Sequence, residues 1–287
     1  MKTYHDIAGD GGSNVAAQVE AQGQAIALAL AGVRRVVAVA SGKGGVGKST
    51  LTMALARAWR RDGRRVAVLD ADFNGPCQAA MAGLAGVPWL PGERGLALPN
   101  SRDGIGVVSL GSVLEDGRPV EIASVAPDEE QVWRATREIA TLRQLLATVE
   151  WGELDALVVD LPPGTERTVQ LAQVLGVLPV AVAFALVTIP SDLSRGVVAR
   201  SAAALAAHGV RVVGYLENMD GYLCRGCGEV RPLFPHSAVE LDLPCLGRIP
   251  FDPALAELGG GRTDDGAPPS AAIRAAARTI YDRLETS

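Results

Sequence analysis

The chain has little of what would tie it to a disulfide scaffold, a membrane span or a nucleic acid. Its 287 residues hold only 4 cysteines, too few for a disulfide framework and better suited to metal binding or redox chemistry in a reducing compartment. Basic residues are in deficit, with 27 Lys and Arg against 32 Asp and Glu for a formal charge of −5. No Lys/Arg-rich run offers the electrostatic footprint of a nucleic-acid binder. The longest apolar run, VLGVLPVAVAFALVTIP at 174–190, is broken by Gly176 and Pro179, so it reads as a helix end, a turn and a buried strand. The first twenty residues carry Asp6, Asp10 and Glu20 and a single lysine, unlike the basic leader of a secretory signal. These absences together predict a cytoplasmic protein without nucleic-acid or membrane partners. Aromatics are scarce as well, at 4% against a hydrophobic fraction of 48%. A core of Ala, Val and Leu follows, which suits a buried parallel sheet covered by helices.

Short β-branched runs recur at 35–41, 64–71, 105–110, 154–161, 180–187 and 210–218, and helix-length segments separate most of them. That alternation predicts an α/β fold with a mostly parallel, doubly wound sheet and flanking helices. The expected division is a flexible lead with a short Ala-rich helix over 1–32, then a single domain over 33–287 carrying a Cys-x-x-Cys loop at 224–227. From Ser49 the residues Leu51, Leu55, Ala58 and Trp59 share one helix face, and Gly63 is placed to end that helix. Further helices are expected over about 129–149, from a Ser191 cap to Gly209, and over 270–285. Residues 82–106, rich in Gly and Pro, read as a long excursion or lid.

GKGGVGKST at 42–50 fits G-x-x-x-x-G-K-[ST] and lies between a predicted strand and an amphipathic helix. Gly42, Gly44, Gly45 and Gly47, with Val46 among them, let backbone N–H groups turn inward around a phosphate, and the helix N-terminus adds partial positive charge. Lys48 is placed to reach the β/γ-phosphates and the Ser49 hydroxyl to hold Mg²⁺. Lys43, at the second loop position, cannot easily fold back onto a nucleotide in its own loop, so it is available to the phosphates of a facing subunit in a homodimer. Asp70 and Asp72 close the second strand in VLDAD, and Asp160 closes the fourth in VVDLPPG. Those strand ends form the edge at which open α/β sheets bind ligands. Asp160 is expected to act on Mg²⁺ through water, Gly164 to lie near the γ-phosphate, and Asp72 to orient the attacking water. Helix capping is the plain alternative for any one of these aspartates.

VVAVASGKGGVGKSTLTMALA, VAVLDADFNGPCQAAMAGL, WGELDALVVDLPPGT, GYLENMDGYLCRGCG and LGRIPFDPALAE together resemble the Mrp/ApbC type of iron-sulfur cluster carrier, a branch of the deviant Walker A ATPases that includes the MinD/ParA partition proteins. The resemblance covers about 33–285. The phosphate loop marks the superfamily, and the late Cys-x-x-Cys after ENM selects the branch. The resemblance implies an ATP-hydrolysing homodimer with Lys43 as signature lysine, Lys48, Ser49 and Thr50 at the phosphates and Mg²⁺, Asp72 in the water-activating position and Asp160 as the Walker B residue. It further implies adenine contacts from Asn218 and the Pro250 region, and a [4Fe-4S] cluster bridged by Cys224 and Cys227 of both subunits. Apo iron-sulfur client proteins and a cluster-assembly scaffold are the implied partners. The chain departs from the family pattern where Trp-Arg-Gly-Pro becomes WRAT at 133–136, Pro-Pro-Gly-Thr-Gly-Asp becomes PPGTER at 162–167, and the thiol pair reads Cys-Arg-Gly-Cys.

Two thiolates supply half of a Cys₄ site, and a twofold axis supplies the other half. Zinc fits that inter-subunit position equally, or a zinc within one chain could take Cys224, Cys227, His236 and Cys245. Against the second option, Cys245 reads as the start of a buried strand and His236 as the cap of a short helix. A redox dithiol is a third reading. Gly226 and Gly228 suit a turn around the thiols, and Arg225 is placed to lower their pKa values. Cys77 in NGPCQ reads as a small packing residue. Two other functions compete: a positioning ATPase on DNA or membrane, and a nucleotide switch on a protein partner with no cargo. The tail AAIRAAARTIYDRLETS, with Asp282 and Glu285 among its arginines and little bulky apolar surface, speaks against membrane anchoring.

Overall fold

Strand runs with no polar interruption can be stable only when both of their faces are covered, and the computed structural model covers them. It describes residues 15–113, 130–224, 226–234, 239–253, 255 and 270–285. In chain order these form α1 (Val15–Ala29), β1 (Arg35–Ser41), α2 (Lys48–Arg61), β2 (Val66–Asp70), α3 (Gln78–Met81), β3 (Leu96–Ala97), β4 (Gly106–Val108), α4 (Glu130–Thr148) and β5 (Val149–Glu150). There follow β6 (Ala156–Asp160), α5 (Thr165–Leu175), β7 (Ala181–Thr188), α6 (Asp192–Ala207), β8 (Val212–Leu223), β9 (Val230–Arg231), β10 (Cys245–Phe251) and α7 (Ala271–Glu285). The main sheet runs β10-β8-β7-β1-β6-β2-β4, all parallel, with β9 antiparallel to the end of β8. Every residue of β2 and β6 is buried, the pattern of a parallel sheet with helices on both faces.

Two apolar clusters, one on each side of this sheet, account for the helices' orientations. On one side Trp59 of α2 is fully buried and its indole Nε1 donates to Ala277 O of α7 at 2.9 Å. Ile273, Ala276, Ala277, Ile280 and Tyr281 of α7 join the same cluster, so the apolar face of the C-terminal helix is spent on the core. Among the described residues no helix is long and apolar enough to cross a membrane.

Several expected boundaries move. The strand expected over 105–110 stops at Val108, because the buried Ser109 turns its side chain to accept from Gly111 N and opens a short 3₁₀ turn. The strand expected to end at 218 runs on to Leu223, past the end of its neighbour β7. Cys245 does begin a strand, yet it is exposed, because β10 is the edge of the sheet. The 82–106 excursion is no lid over the phosphate loop: β3 pairs with β5, which precedes β6 and so lies at the opposite end of that strand from Asp160. Trp89, Leu96 and Leu98 pack the excursion onto the core.

Candidate phosphate site and thiol hairpin

Strand order makes the site. β1, β6 and β2 are adjacent, so the loop after Ser41, Asp160 and Asp70 come together although the sequence separates them widely. Between β1 and α2 the chain curls, with Gly45 at φ 78° and Gly47 at φ 83°, the left-handed region that glycine enters freely. Gly47 is held to glycine twice over, since a Cβ there would meet Asn218 Nδ2 at 2.2 Å. Helix α2 starts at Lys48 directly after this residue, which leaves its first backbone N–H groups for an anion.

Lys48 Nζ donates to Asp160 Oδ1 at 2.6 Å and to Ser49 Oγ at 3.2 Å, with Lys48 6% exposed and Asp160 fully buried. Thr52 Oγ1 adds a bond to Asp160 Oδ1 at 3.2 Å, and Gln78 Nε2 donates to Asp160 Oδ2 at 2.8 Å and to Ser49 O at 3.0 Å. Gln78 Oε1 is buried with no partner. Asp72, beyond the end of β2, is half-buried, and burial raises its pKa while Lys48 and Arg167 oppose that rise. Gly164 N donates to Ser41 O at 3.0 Å, tying the start of α5 to the strand that feeds the phosphate loop. Gly42 packs against α6, where a Cβ would meet Val197 Cγ1 at 2.2 Å. Gly44 is exposed, Val46 is buried, and Ser49 and Thr50 are half-buried in the first turn of α2. Lys43 lies in the loop, where its backbone carbonyl accepts from Ser41 Oγ at 3.0 Å.

Asp70 lies in register with Asp160 on the neighbouring strand, about 4.8 Å away in backbone spacing. Burial first and the Asp160 charge second push its pKa up from 3.8 to about 7, against bonds from the Ser109 hydroxyl and the Cys77 and Gln78 N–H groups. A carboxyl whose folded pKa lies above its unfolded value contributes stability that is complete below about pH 4 and is lost as pH rises through about 7. Asp70→Asn is expected to flatten the pH dependence of thermal unfolding across that window. Calorimetry at a series of pH values checks this, and an unchanged slope assigns the dependence to another group.

Asn218 Nδ2 donates to Val46 O at 2.9 Å, so the residue implied to contact adenine also braces the phosphate loop. It pairs across the sheet with Ile249, and Pro250 follows beside it on β10. The preceding Glu217 is fully buried and held by Arg195 of α6 at 2.6 Å. Beyond Asn218, β8 passes Met219 at φ 59°, clears the end of β7, and turns into β9. Cys224 and Cys227 occupy that turn, closed by Cys224 N to Glu229 O at 2.9 Å and Gly228 N to Cys224 O at 2.7 Å. The φ of 74° at Gly228 permits the closure. The backbone N–H groups of Cys227 and Gly226, with the Cys227 thiol, hold the Cys224 thiol below its ordinary pKa. Arg225 and His236 lie outside the described residues.

Cys245 is remote from this turn. It pairs with Tyr215 at one end of β8, while Phe251 pairs with Tyr222 at the other, roughly 20 Å of strand apart. The single-chain set of Cys224, Cys227, His236 and Cys245 is therefore not formed, and among the described residues no group of three or more His, Cys, Asp or Glu is placed to hold a metal. Cys77 is half-buried against the α2 cluster, as a packing residue should be, and burial and Asp70 raise its pKa to about 11. Sequence reasoning missed Gln78, Thr52 and Ser109. Thr52 carried a signal, being one helical turn after Lys48 on an otherwise apolar face; nothing local marks Gln78 or Ser109.

The model of the family described as ParA, NUBPL iron-transfer P-loop NTPase, matches residues 32–284. The chain is 38% identical over 266 residues to the human cytosolic Fe-S cluster assembly factor NUBP2, covering 88% of this chain and 94% of that protein. It is 34% identical over 247 residues to the iron-sulfur cluster carrier protein of Saccharolobus solfataricus, covering 84% and 79%. Among solved structures, a nucleotide-binding protein from Archaeoglobus fulgidus in complex with ADP aligns with a TM-score of 0.68 at 29% identity, over 85% of this chain and 94% of that one. The cell division ATPase MinD of Pyrococcus furiosus aligns with a TM-score of 0.56 at 20% identity, over 86% and 98%, a likeness of fold alone.

Proposed function

This chain belongs to the NUBPL iron-transfer P-loop NTPase family, and from that premise we propose that it is a cytoplasmic, ATP-hydrolysing carrier that binds a [4Fe-4S] cluster across a homodimer and passes it to apo-proteins. The observation that carries the reading is the placement of the thiol pair. One strand, β8, braces the phosphate loop through Asn218 and then presents Cys224 and Cys227 at the tip of a hairpin beyond the sheet. Two thiols per hairpin match half of a cubane's four ligands, and a second copy about a twofold axis supplies the rest. The cluster is cargo, and a hairpin tip leaves it open to a recipient protein.

The residues at the sheet edge fit ATP and Mg²⁺. The loop's positive-φ glycines and the start of α2 offer N–H donors to phosphates. The Ser49 hydroxyl, the Asp160 carboxylate and the orphaned Gln78 Oε1 are hard oxygen donors of the kind Mg²⁺ takes. Ser49 and Asp160, the latter through water, are the residues that would hold the ion, which would supply positive charge against the nucleotide's phosphates. Lys48 binds the β/γ-phosphates of its own nucleotide, Thr50 the phosphates from the first turn of α2, and Lys43 the partner's nucleotide. Asp72 orients the attacking water, and Gly164 approaches the γ-phosphate. Asn218 and the Pro250 region border the adenine.

Asp72→Asn is expected to keep ATP affinity within about twofold while slowing hydrolysis by roughly a hundredfold or more, since the neutral amide accepts from the water far more weakly than a carboxylate and cannot take up its proton. Steady-state turnover beside equilibrium ATP binding checks it; unchanged turnover shows that another group positions the water.

A further inference from the structure

Glu138 has no part in the reading above, and its burial needs a cause. It sits on α4 with 5% exposure, and a carboxylate so far from water is costly unless charged or polar partners hold it. Two partners do, one from the loop after β2 and one from the first turn of α5. Asn74 Nδ2 donates to Glu138 Oε1 at 2.6 Å, and Arg167 Nη2 donates to the same oxygen at 2.9 Å. Asn74 follows Asp72 in the segment leaving β2, and Arg167 follows Gly164 in the first turn of α5 beyond β6. Arg167 stands where the family pattern quoted above has aspartate, so the tie includes a group that the resemblance does not supply. Its charge also bears on Asp72, opposing the effect of burial there.

We propose that Glu138 and Arg167 are positioning residues for hydrolysis: one buried carboxylate fastens the Asp72 loop to the Gly164 loop. Two donors on one oxygen fix the spacing of the loops to within hydrogen-bond tolerance, and a displacement of about 1 Å is enough to slow an in-line attack. The role presupposes the ATP hydrolysis proposed above.

The test is ATP turnover by the full chain in Arg167→Ala, Arg167→Lys, Glu138→Ala and the Glu138→Ala/Arg167→Ala double variant, with ATP affinity and Tm measured beside it. In Arg167→Ala kcat is expected to fall on the order of tenfold or more while the Kd for ATP stays within about twofold. Arg167→Lys, which keeps the charge and one donor, recovers part of that loss. The double variant is no slower than the slower single, because both substitutions remove the same tie. Unchanged kcat in Arg167→Ala, or fully additive losses in the double variant, overturns the proposal. Arg167 is 32% exposed, so its variants carry the test if Glu138→Ala misfolds.

Amide hydrogen exchange reads the tie without turnover. Arg167→Ala is expected to lower protection in both the 72–75 and the 163–167 segments, and loss confined to one of them overturns the proposal. A wild-type chain that binds ATP without hydrolysing it refutes the hydrolysis reading, and Glu138 and Arg167 then lose the positioning role while exchange alone decides whether the loops are fastened.

Discussion

Lys48→Ala is expected to remove ATP binding and to destabilise the protein at the same time, and the two effects can be separated. Lys48 and Asp160 form a buried ion pair at 2.6 Å, with Asp70 in register beside Asp160. Deleting the ammonium leaves Asp160 buried without its countercharge, a change that typically costs about 3–5 kcal/mol. Adding Asp160→Asn removes the stranded charge, and Gln78 and Thr52 can still bond to the amide, so most of the lost stability should return. Nucleotide affinity should not return. The lysine's charge-assisted bonds to the phosphates are absent in both variants, and a loss on the order of a hundredfold or more follows. Thermal unfolding and ATP titration of both variants decide the matter. Normal ATP affinity in Lys48→Ala would falsify the phosphate-site assignment, whereas unrecovered stability in the double variant would show that the pair does more than neutralise charge.

The second large effect is expected at the hairpin. Wild-type protein purified without oxygen should carry about four irons and four acid-labile sulfides per dimer, and Cys224→Ser/Cys227→Ser should carry none. The fold should survive, because Cys224 is only half-buried, Cys227 is exposed, and the backbone bonds that close the turn do not involve sulfur. Serine in place of each thiol removes the soft ligand while keeping size and polarity. Zinc in stoichiometric amount, lost in the same variant, would make the pair a clasp between subunits; absence of any metal after reconstitution would leave a nucleotide switch without cargo. ATP binding by the variant is the internal control, since Asn218 and the phosphate loop are untouched.

The local features were legible because their physics is local. Gly-Lys-Gly-Gly-Val-Gly-Lys-Ser-Thr between a β-branched run and an amphipathic segment can be read in order, and α2 starts within one residue of the expected Ser49. Ser191 is the cap it was expected to be, its side chain accepting from Ser194 N. The errors arose where distant partners decide. β4 is cut short by the turn that Ser109 makes on its way to Asp70. The excursion at 82–106 is drawn to the far end of the sheet by pairing with β5, a partner remote in sequence. Cys245 begins its strand as expected but is exposed, because exposure depends on β10 having no neighbour on one side. The thiol turn owes its acidity at Cys224 to backbone N–H groups, which no side-chain reading supplies.

By itself the sequence determined the fold class, the phosphate loop and its lysines, the acidic strand ends and the existence of a thiol pair, since each depends on residues within a few positions of one another. Only the tertiary structure decided which strands are neighbours. The order β1-β6-β2 sets Asp160 against Lys48 and Asp70, β8 joins the brace on the phosphate loop to the cysteine hairpin, and Cys245 is parted from the other two thiols. Those choices are made when the strand runs must bury both faces at once and the buried carboxylates must each find donors, a condition on the whole chain that no segment meets alone.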